Sequence, residues 1–352
     1  MSKTPPWILL VTRGAGNLIQ DGADIWVNNF LKEVWPNLPN NRYYRLLIDS
    51  KRPGNFKDES LPKNLKFHFH FDDPEITRKW GSESHWVHFL NPHYHMRTHL
   101  WEFEDKFGIC FVHNYPKDMH EVDKKLPELD KLKIHPKVNE RFYSEFILTC
   151  KRRIWLGLNT SKLLRDFPNY TYQLPNYYEF KGPAQLTTNV NNGSIGFAAT
   201  ADNRKCVHWM NGIEKGYALT NQYDIQQLKD TSSYTLKTTD IYQWHPGIFN
   251  AFMGKPWGIF HGAYFREPFG YSIFQALDYG KLPIINKDWA IEVDYKYRVS
   301  TKNEFDGCIK QILKDSHETR VKERNKLIDF LKKYDNKKEW VDQIRTQILS
   351  FY

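Results

Sequence analysis

The chain opens with Trp7–Val11, five apolar residues in a row, and the turn-forming stretch Thr12–Gly16 follows at once. A short unbroken apolar run bounded by a turn predicts a strand buried on both faces, as in a parallel sheet. From Asp24 to Trp35 the period changes. Ile25, Trp26, Phe30, Leu31 and Val34 recur at helical spacing, so a helix follows the strand. Tyr44–Ile48, Leu65–Phe71, Trp86–Leu90, Ile109–His113 and Arg153–Leu158 read as further strands, and Val138–Cys150 as a helix. Leu174–Phe180 with Lys181-Gly182-Pro183 reads as a linker.

A second alternation begins beyond it. Gly193–Ala199, Tyr234–Thr239, Gly258–Phe260 and Leu282–Asn286 are its predicted strands, Cys206–Lys215 and Tyr271–Asp278 its predicted helices. Lys302–Ser350 is mostly amphipathic helix. Alternating strands and helices predict parallel α/β sheets, here two in succession. Such sheets bind ligands beyond their C-terminal strand ends, so two facing Rossmann-like domains would share one cleft. The expected layout is residues 1–180 as an acceptor-side domain and 181–325 as a nucleotide-binding domain. Residues 326–352 form a C-terminal helix returning to the first domain.

Composition fits this layout. The 352 residues exceed one ordinary core and suit two domains. No run of 18 apolar residues exists, so neither a membrane span nor stable insertion is expected. The N-terminal apolar run is too short for a signal peptide. Four cysteines stand far apart without C-x-x-C spacing, which argues against a zinc site or disulfide framework and suits a reducing cytoplasm. The net charge of +9 points toward a polyanionic partner, nucleic acid or an acidic membrane surface, or to a merely soluble basic protein. Aromatic residues at 16% suit stacking on sugars or bases.

The densest chemistry lies in Gly258–Asn286, GIFHGAYFREPFGYSIFQALDYGKLPIIN. A strand ends near Phe260, a loop runs through Glu267-Pro268-Phe269-Gly270, and a helix starts near Tyr271 or Ser272. Gly270 allows close backbone approach to a ligand. The free N–H groups and positive end of the helix suit a diphosphate. Gly280 ends the helix and Pro283 opens the next strand. Glu267 is placed to hold sugar hydroxyls, and Gln275, eight residues on and inside the helix, to reach a ribose. An ordinary strand–turn–helix with a capping acid is the alternative.

This segment resembles the donor site of GT-B glycosyltransferases. Retaining members carry E-x7-E inside a pattern like E-x-F-G…E-A-x-x-x-G-x-P; here Gln275 stands at the second acid, within Gln275-Ala276-Leu277-Asp278-Tyr279-Gly280-Lys281-Leu282-Pro283. The resemblance implies a nucleotide-sugar donor, a UDP-sugar first. It places Arg204 and Lys205, just after the strand Ile195-Gly196-Phe197, on the donor diphosphate, Phe269 to Ser272 around it, and Trp244 and His245 near the base. The loop AATADNRK is also loosely similar to the arginine-containing loop of phage DNA β-glucosyltransferases, with Arg204 matching one of two phosphate arginines and Thr200 near the other. Arginine's planar fork bonds phosphate oxygens bidentately. A solvated basic pair and a core tryptophan are the plainer readings of Arg204-Lys205 and Trp244.

In the first half, Arg13-Gly14-Ala15-Gly16 resembles the glycine loop that approaches donor phosphate and sugar, or is a plain βα turn. His113 stands where many retaining enzymes contact the transferred sugar, with Asn114 and Tyr115 on the acceptor side. The inverting phage enzyme carries an aspartate base at this place. Asn114 accepts no proton, and an inverting reaction needs a general base. Retention is therefore favoured, with Asp24 or Asp118 as the acids that would reverse that inference. The histidines at 85, 88, 93, 95 and 99 lack a zinc-motif partner. With Trp86, Tyr94, Arg97 and Trp101 among them they read as an acceptor-facing loop and helix, His95 and Arg97 touching acceptor. No metal site is predicted, and the metal dependence of the donor stays open.

Size, charge and the phage resemblance imply double-stranded DNA as acceptor, since phosphate neutralisation dominates DNA affinity. A hydroxymethylated pyrimidine such as hydroxymethylcytosine would leave the stack to reach the sugar. Lys51-Arg52, Arg78-Lys79, Arg97 and Lys151-Arg152-Arg153 are candidate phosphate contacts. A transferase for surface polysaccharide or lipopolysaccharide is the competing enzyme reading, and a non-catalytic DNA-binding protein on the same scaffold the third. The chain is expected to act as a monomer.

Overall fold

The computed structural model describes residues 7–19, 22–40, 42–91, 106, 108–113, 153–157, 171–173, 175–187, 190, 194–199, 205–211, 213–220, 239–243, 246–262, 267 and 269–350. These divide into two compact units: residues up to 176 together with 338–350, and 177–337.

The first unit is a parallel sheet of β1 (Trp7–Thr12), β2 (Tyr43–Ile48), β3 (Lys66–Phe69), β4 (Ser84–Asn91), β5 (Gly108–Val112), β6 (Arg153–Gly157) and β7 (Thr171–Gln173), in the order β3-β2-β1-β4-β5-β6-β7. Ile8, Leu9, Leu10 and Val11 are all buried, as a central strand covered on both faces requires. Helix α1 (Gly22–Asn29) continues as one π-helical turn, Phe30–Val34, so the long amphipathic stretch is helical but not uniformly α. Helix α2 (Pro74–Glu83) was not anticipated; Asp73 caps it through the Glu75 N–H, and Pro74 fills its first turn. The strand expected at Trp86–Leu90 is β4, Ser84–Asn91, so the histidine-rich stretch read as an acceptor-facing loop and helix begins as a strand. His88 is buried there, and its Nδ1 accepts the Ile109 N–H at 3.0 Å across to β5. It serves the sheet, while His93, His95 and His99 lie outside the described residues.

The second unit is a parallel sheet of β8 (Ser194–Ala198), β9 (Lys215–Thr220), β10 (Thr239–Gln243), β11 (Gly258–His261), β12 (Leu282–Asn286) and β13 (Arg298–Val299), in the order β10-β9-β8-β11-β12-β13. Helices α3 (Pro246–Met253), α4 (Tyr271–Asp278), α5 (Lys302–Lys314) and α6 (His317–Leu331) belong to it, and α7 (Lys337–Leu349) follows. The helix expected over Cys206–Lys215 is only a 3-10 turn, Val207–Met210, and Lys215 instead opens strand β9. Tyr217, Ala218 and Leu219 are buried between β8 and β10, where tertiary pairing overrides the weak helical pattern. The next strand falls at Thr239–Gln243; the expected residues 234–238 lie outside the description, as does Val138–Cys150.

In α7, Trp340 meets Trp26 of α1 edge to face at 6.0 Å, and its indole N–H donates to the Pro175 carbonyl at 3.0 Å. The last helix thus packs with the first unit. In the second unit, Arg324 donates from Nη2 to the carbonyls of Ala184 and Leu277 at 2.7 and 2.6 Å, placing a cation at the C-terminal end of α4.

Candidate active site

Each sheet reverses its winding once, between β1 and β4 in the first unit and between β8 and β11 in the second. Ligands of open α/β sheets bind beyond the C-terminal strand ends at such points.

In the second unit that position holds Lys205 and Cys206, beyond β8, and His261, Gly262, Glu267 and Phe269–Ser272, at the end of β11 and after it. The two backbones touch: a side chain on Gly262 would begin 2.3 Å from the Lys205 carbonyl oxygen. Cys206 takes the left-handed conformation (φ 60°), the one non-glycine residue among those described to do so. This turn aims Lys205 across to Glu267, and their side chains form a short ion pair, 19% and 15% exposed. The Glu267 carbonyl accepts the Ala290 N–H at 2.9 Å, and the Trp289 indole donates to the Phe269 carbonyl at 2.9 Å, so the loop is stapled on both sides of residue 268.

Phe269 turns its ring into the core, stacked on Phe274 at 4.5 Å, and leaves only its backbone to the loop. Gly270 then takes φ +72° as the N-cap of α4. A Cβ there would stand 2.8 Å from both Cε1 and Nε2 of His261, so glycine is required for conformation and for space. His261 ends β11, is 6% exposed, and meets the Ser272 hydroxyl through Nδ1 at 2.9 Å. Its Nε2 is buried without a hydrogen-bond partner. Burial pushes the imidazole down to about 4, with Glu267 opposing and Lys205 assisting, so the ring is neutral at pH 7. The Tyr271 ring lies edge-on to Phe269 at 5.1 Å and its buried hydroxyl is shifted upward by desolvation. Gln275 is half-buried one turn beyond Ser272, on the same helix face.

In the first unit the corresponding place is a closed polar network. Asp24, fully buried, accepts from Arg13 Nη2 at 3.1 Å and from Asn91 Nδ2 at 2.9 Å, tying the loop after β1 to the end of β4. Gly16, at φ +65°, is clasped by the Asn28 amide: its N–H donates to Oδ1 at 2.7 Å and its carbonyl accepts from Nδ2 at 2.8 Å. The Thr12 hydroxyl donates to the Gly14 carbonyl at 3.0 Å. His113, just past β5, donates from Nε2 to the Leu90 carbonyl at 2.8 Å, because a carbonyl only accepts. Trp26 meets His113 edge to face at 5.0 Å. Among the described residues no cluster of His, Cys, Asp or Glu would hold a metal ion.

No protein-family model and no curated protein sequence matches the chain. Solved structures do. HepE from Anabaena, determined in complex with UDP-glucose, matches at TM-score 0.56 and 13% identity over 98% of both chains. WaaG, a glycosyltransferase involved in lipopolysaccharide biosynthesis, matches at 0.62 and 11% over 97% of this chain and 99% of its own. The β-glucosyltransferase of phage T4 matches at 0.55 and 12% over 97% and 99%. These matches span both sheets. The chain has the GT-B fold.

Within the GT-B fold, the expected residues divide between the two switch points. Lys205, Glu267, Phe269, Gly270, Tyr271, Ser272 and Gln275 lie at the second, Gly14, Gly16, Asp24 and His113 at the first. Arg204, Trp244, His245, Asn114, Tyr115, His95 and Arg97 lie outside the described residues. Sequence reasoning missed His261, Asn28 and Asn91, and named Arg13 only as part of the glycine loop. Their one sequence signal is a polar residue at or just after the end of an apolar strand, or on the first turns of the helix that follows.

Proposed function

We propose that the chain is a nucleotide-sugar-dependent glycosyltransferase whose donor diphosphate sits at the N-terminus of α4. The observation that carries this is the convergence of Lys205, Glu267, Gly270 and Ser272 at the second switch point. A helix start and an ammonium neutralise phosphate charge, while the Glu267 carboxylate accepts from sugar hydroxyls. Gln275 binds the ribose, Arg204 a phosphate, and Trp244 with His245 the base. A UDP-sugar is the donor, in keeping with HepE bound to UDP-glucose. Gly14 and Gly16 shape the loop of the first domain, and His113 accepts a hydrogen bond from the transferred sugar.

The transfer runs with retention. Asp24 is fully buried and holds Arg13 and Asn91, which disfavours it as the base that inversion needs. The acceptor is a hydroxymethylated pyrimidine in duplex DNA. The net charge of +9 and the likeness to phage enzymes support it. A surface-polysaccharide acceptor has its own support in the likeness to WaaG. Labelled UDP-sugars offered to hydroxymethylated duplex DNA and to lipopolysaccharide separate the two. Label on DNA at low salt supports the first. Label only on lipopolysaccharide establishes the second. Nucleotide-sugar turnover without DNA binding ends the DNA reading.

A further inference from the structure

We infer that His261 is a positioning residue that aims the Ser272 hydroxyl proton at the donor diphosphate. This rests on the donor reading above and adds to it a residue and a proton direction.

Three observations converge. The His261 Nδ1 lies 2.9 Å from the Ser272 Oγ, on the first turn of α4. The opposite ring edge, Cε1–Nε2, is packed against Gly270, the N-cap of that helix, closely enough that no Cβ fits between them. Among the described residues Nε2 has no partner, and the side chain is almost wholly buried.

Two neutral tautomers are possible, and the surroundings choose between them. With the proton on Nε2, a buried N–H would be orphaned at the positive end of a helix dipole, with the Lys205 ammonium on the same site. Both field and desolvation oppose that arrangement. With the proton on Nδ1, the Nε2 lone pair faces the positive end, and Nδ1–H donates to Ser272 Oγ. The serine hydroxyl has one proton. If its oxygen is occupied by the imidazole N–H, that proton must point elsewhere, and the donor diphosphate at the helix start is the acceptor proposed for it. His261 thereby converts a rotor into a fixed donor before ligand arrives. Burial, which keeps the ring neutral, preserves the lone pair on Nε2.

The first test is nitrogen-15 NMR of histidine-labelled wild-type protein. A protonated Nδ1 on His261 is expected; a protonated Nε2 overturns the proposal whatever the variants do. The second is a double-mutant cycle read by UDP affinity, with uridine as the control ligand. Ser272→Ala should weaken UDP roughly tenfold, the worth of one hydrogen bond to a charged group, and leave uridine unchanged. His261→Phe should do nearly the same, and the double variant should be no worse than Ser272→Ala alone. His261→Asn, which keeps an N–H near the place of Nδ1, should recover most of the loss. Multiplicative losses in the double variant, or equal weakening of UDP and uridine by His261→Phe, would leave His261 a purely structural residue. Failure of the wild-type protein to bind UDP would overturn the donor reading itself, a result separate from either.

Discussion

The two sheets share one strand order up to the sixth strand and use their switch points in opposite ways. In the first, the charged and amide side chains are engaged with one another: Asp24 with Arg13 and Asn91, Asn28 with both backbone groups of Gly16. In the second, a largely buried ion pair stands beside a helix start and a buried imidazole nitrogen that nothing among the described residues satisfies. A carboxylate locked on all sides fastens loops. A carboxylate paired to one lysine at the mouth of a helix can exchange that partner for a ligand. The two switch points therefore hold their acids in different settings: Asp24 fastens loops, and Glu267, on the proposed function, receives the sugar.

Replacing each acid separates these roles most strongly. Asp24→Ala leaves Arg13 beside an emptied buried site and should lower unfolding free energy by about 3–5 kcal/mol, read from denaturant midpoints at constant m-value. Glu267→Ala should leave the midpoint nearly unchanged but cut sugar transfer about 10²- to 10³-fold, comparable to losing one preorganised polar group in a transition state. Loss of stability in the second variant and of turnover alone in the first would invert the comparison.

Acid should weaken the second sheet through its buried imidazoles. His261 is depressed to about 4 by burial, and so is His208, with Lys302 assisting there. The unfolded rings titrate near 6.5, so the stability each contributes is complete above that value and lost as pH falls toward 4. For His261 the full loss is about 3 kcal/mol, at about 1.4 kcal/mol per unit. The melting temperature should fall steadily between pH 7 and 5, and less so in His208→Leu.

Glycine replacements come next. Gly16→Ala and Gly270→Ala each force a side chain to positive φ, at roughly 1–3 kcal/mol. The first also crowds the Ser60 hydroxyl and should lower the melting temperature. The second presses on His261 and should also weaken UDP. The smallest effect is expected from Arg52→Ala and Arg78→Ala, whose ion pairs with Asp58 and Glu75 lie on the surface. Melting should not move. On the DNA reading, each should reduce the salt dependence of DNA binding by about one ion.

The segment Gly258–Asn286 was legible because its punctuation is strong: apolar run, Gly270, a helix of eight residues, Gly280 and a strand with Pro283 at its second position. Strand β9 was not, because Lys215–Thr220 is short, buried from Gly216 onward and without alternation, a pattern shared with a buried helix. Helix α2 announces itself by Asp73-Pro74 at its start and α3 by Pro246, each followed by a short helix. The site's wiring was hidden for a different reason. Lys205 and Glu267 are 62 residues apart and Asp24 and Asn91 are 67 apart, joined only because β8 neighbours β11 and β1 neighbours β4. Sequence shows which residues stand at strand ends; the strand order decides which of them meet.

Titration calorimetry of UDP and a UDP-sugar into the wild-type protein and Glu267→Ala tests the central assignment most directly. Wild type should bind both, the UDP-sugar more tightly. In Glu267→Ala, UDP affinity should hold or rise, because Lys205 is released to the phosphates, while the extra affinity for the sugar disappears. Absence of UDP binding in wild type, or an undiminished preference for the sugar without Glu267, would contradict the account.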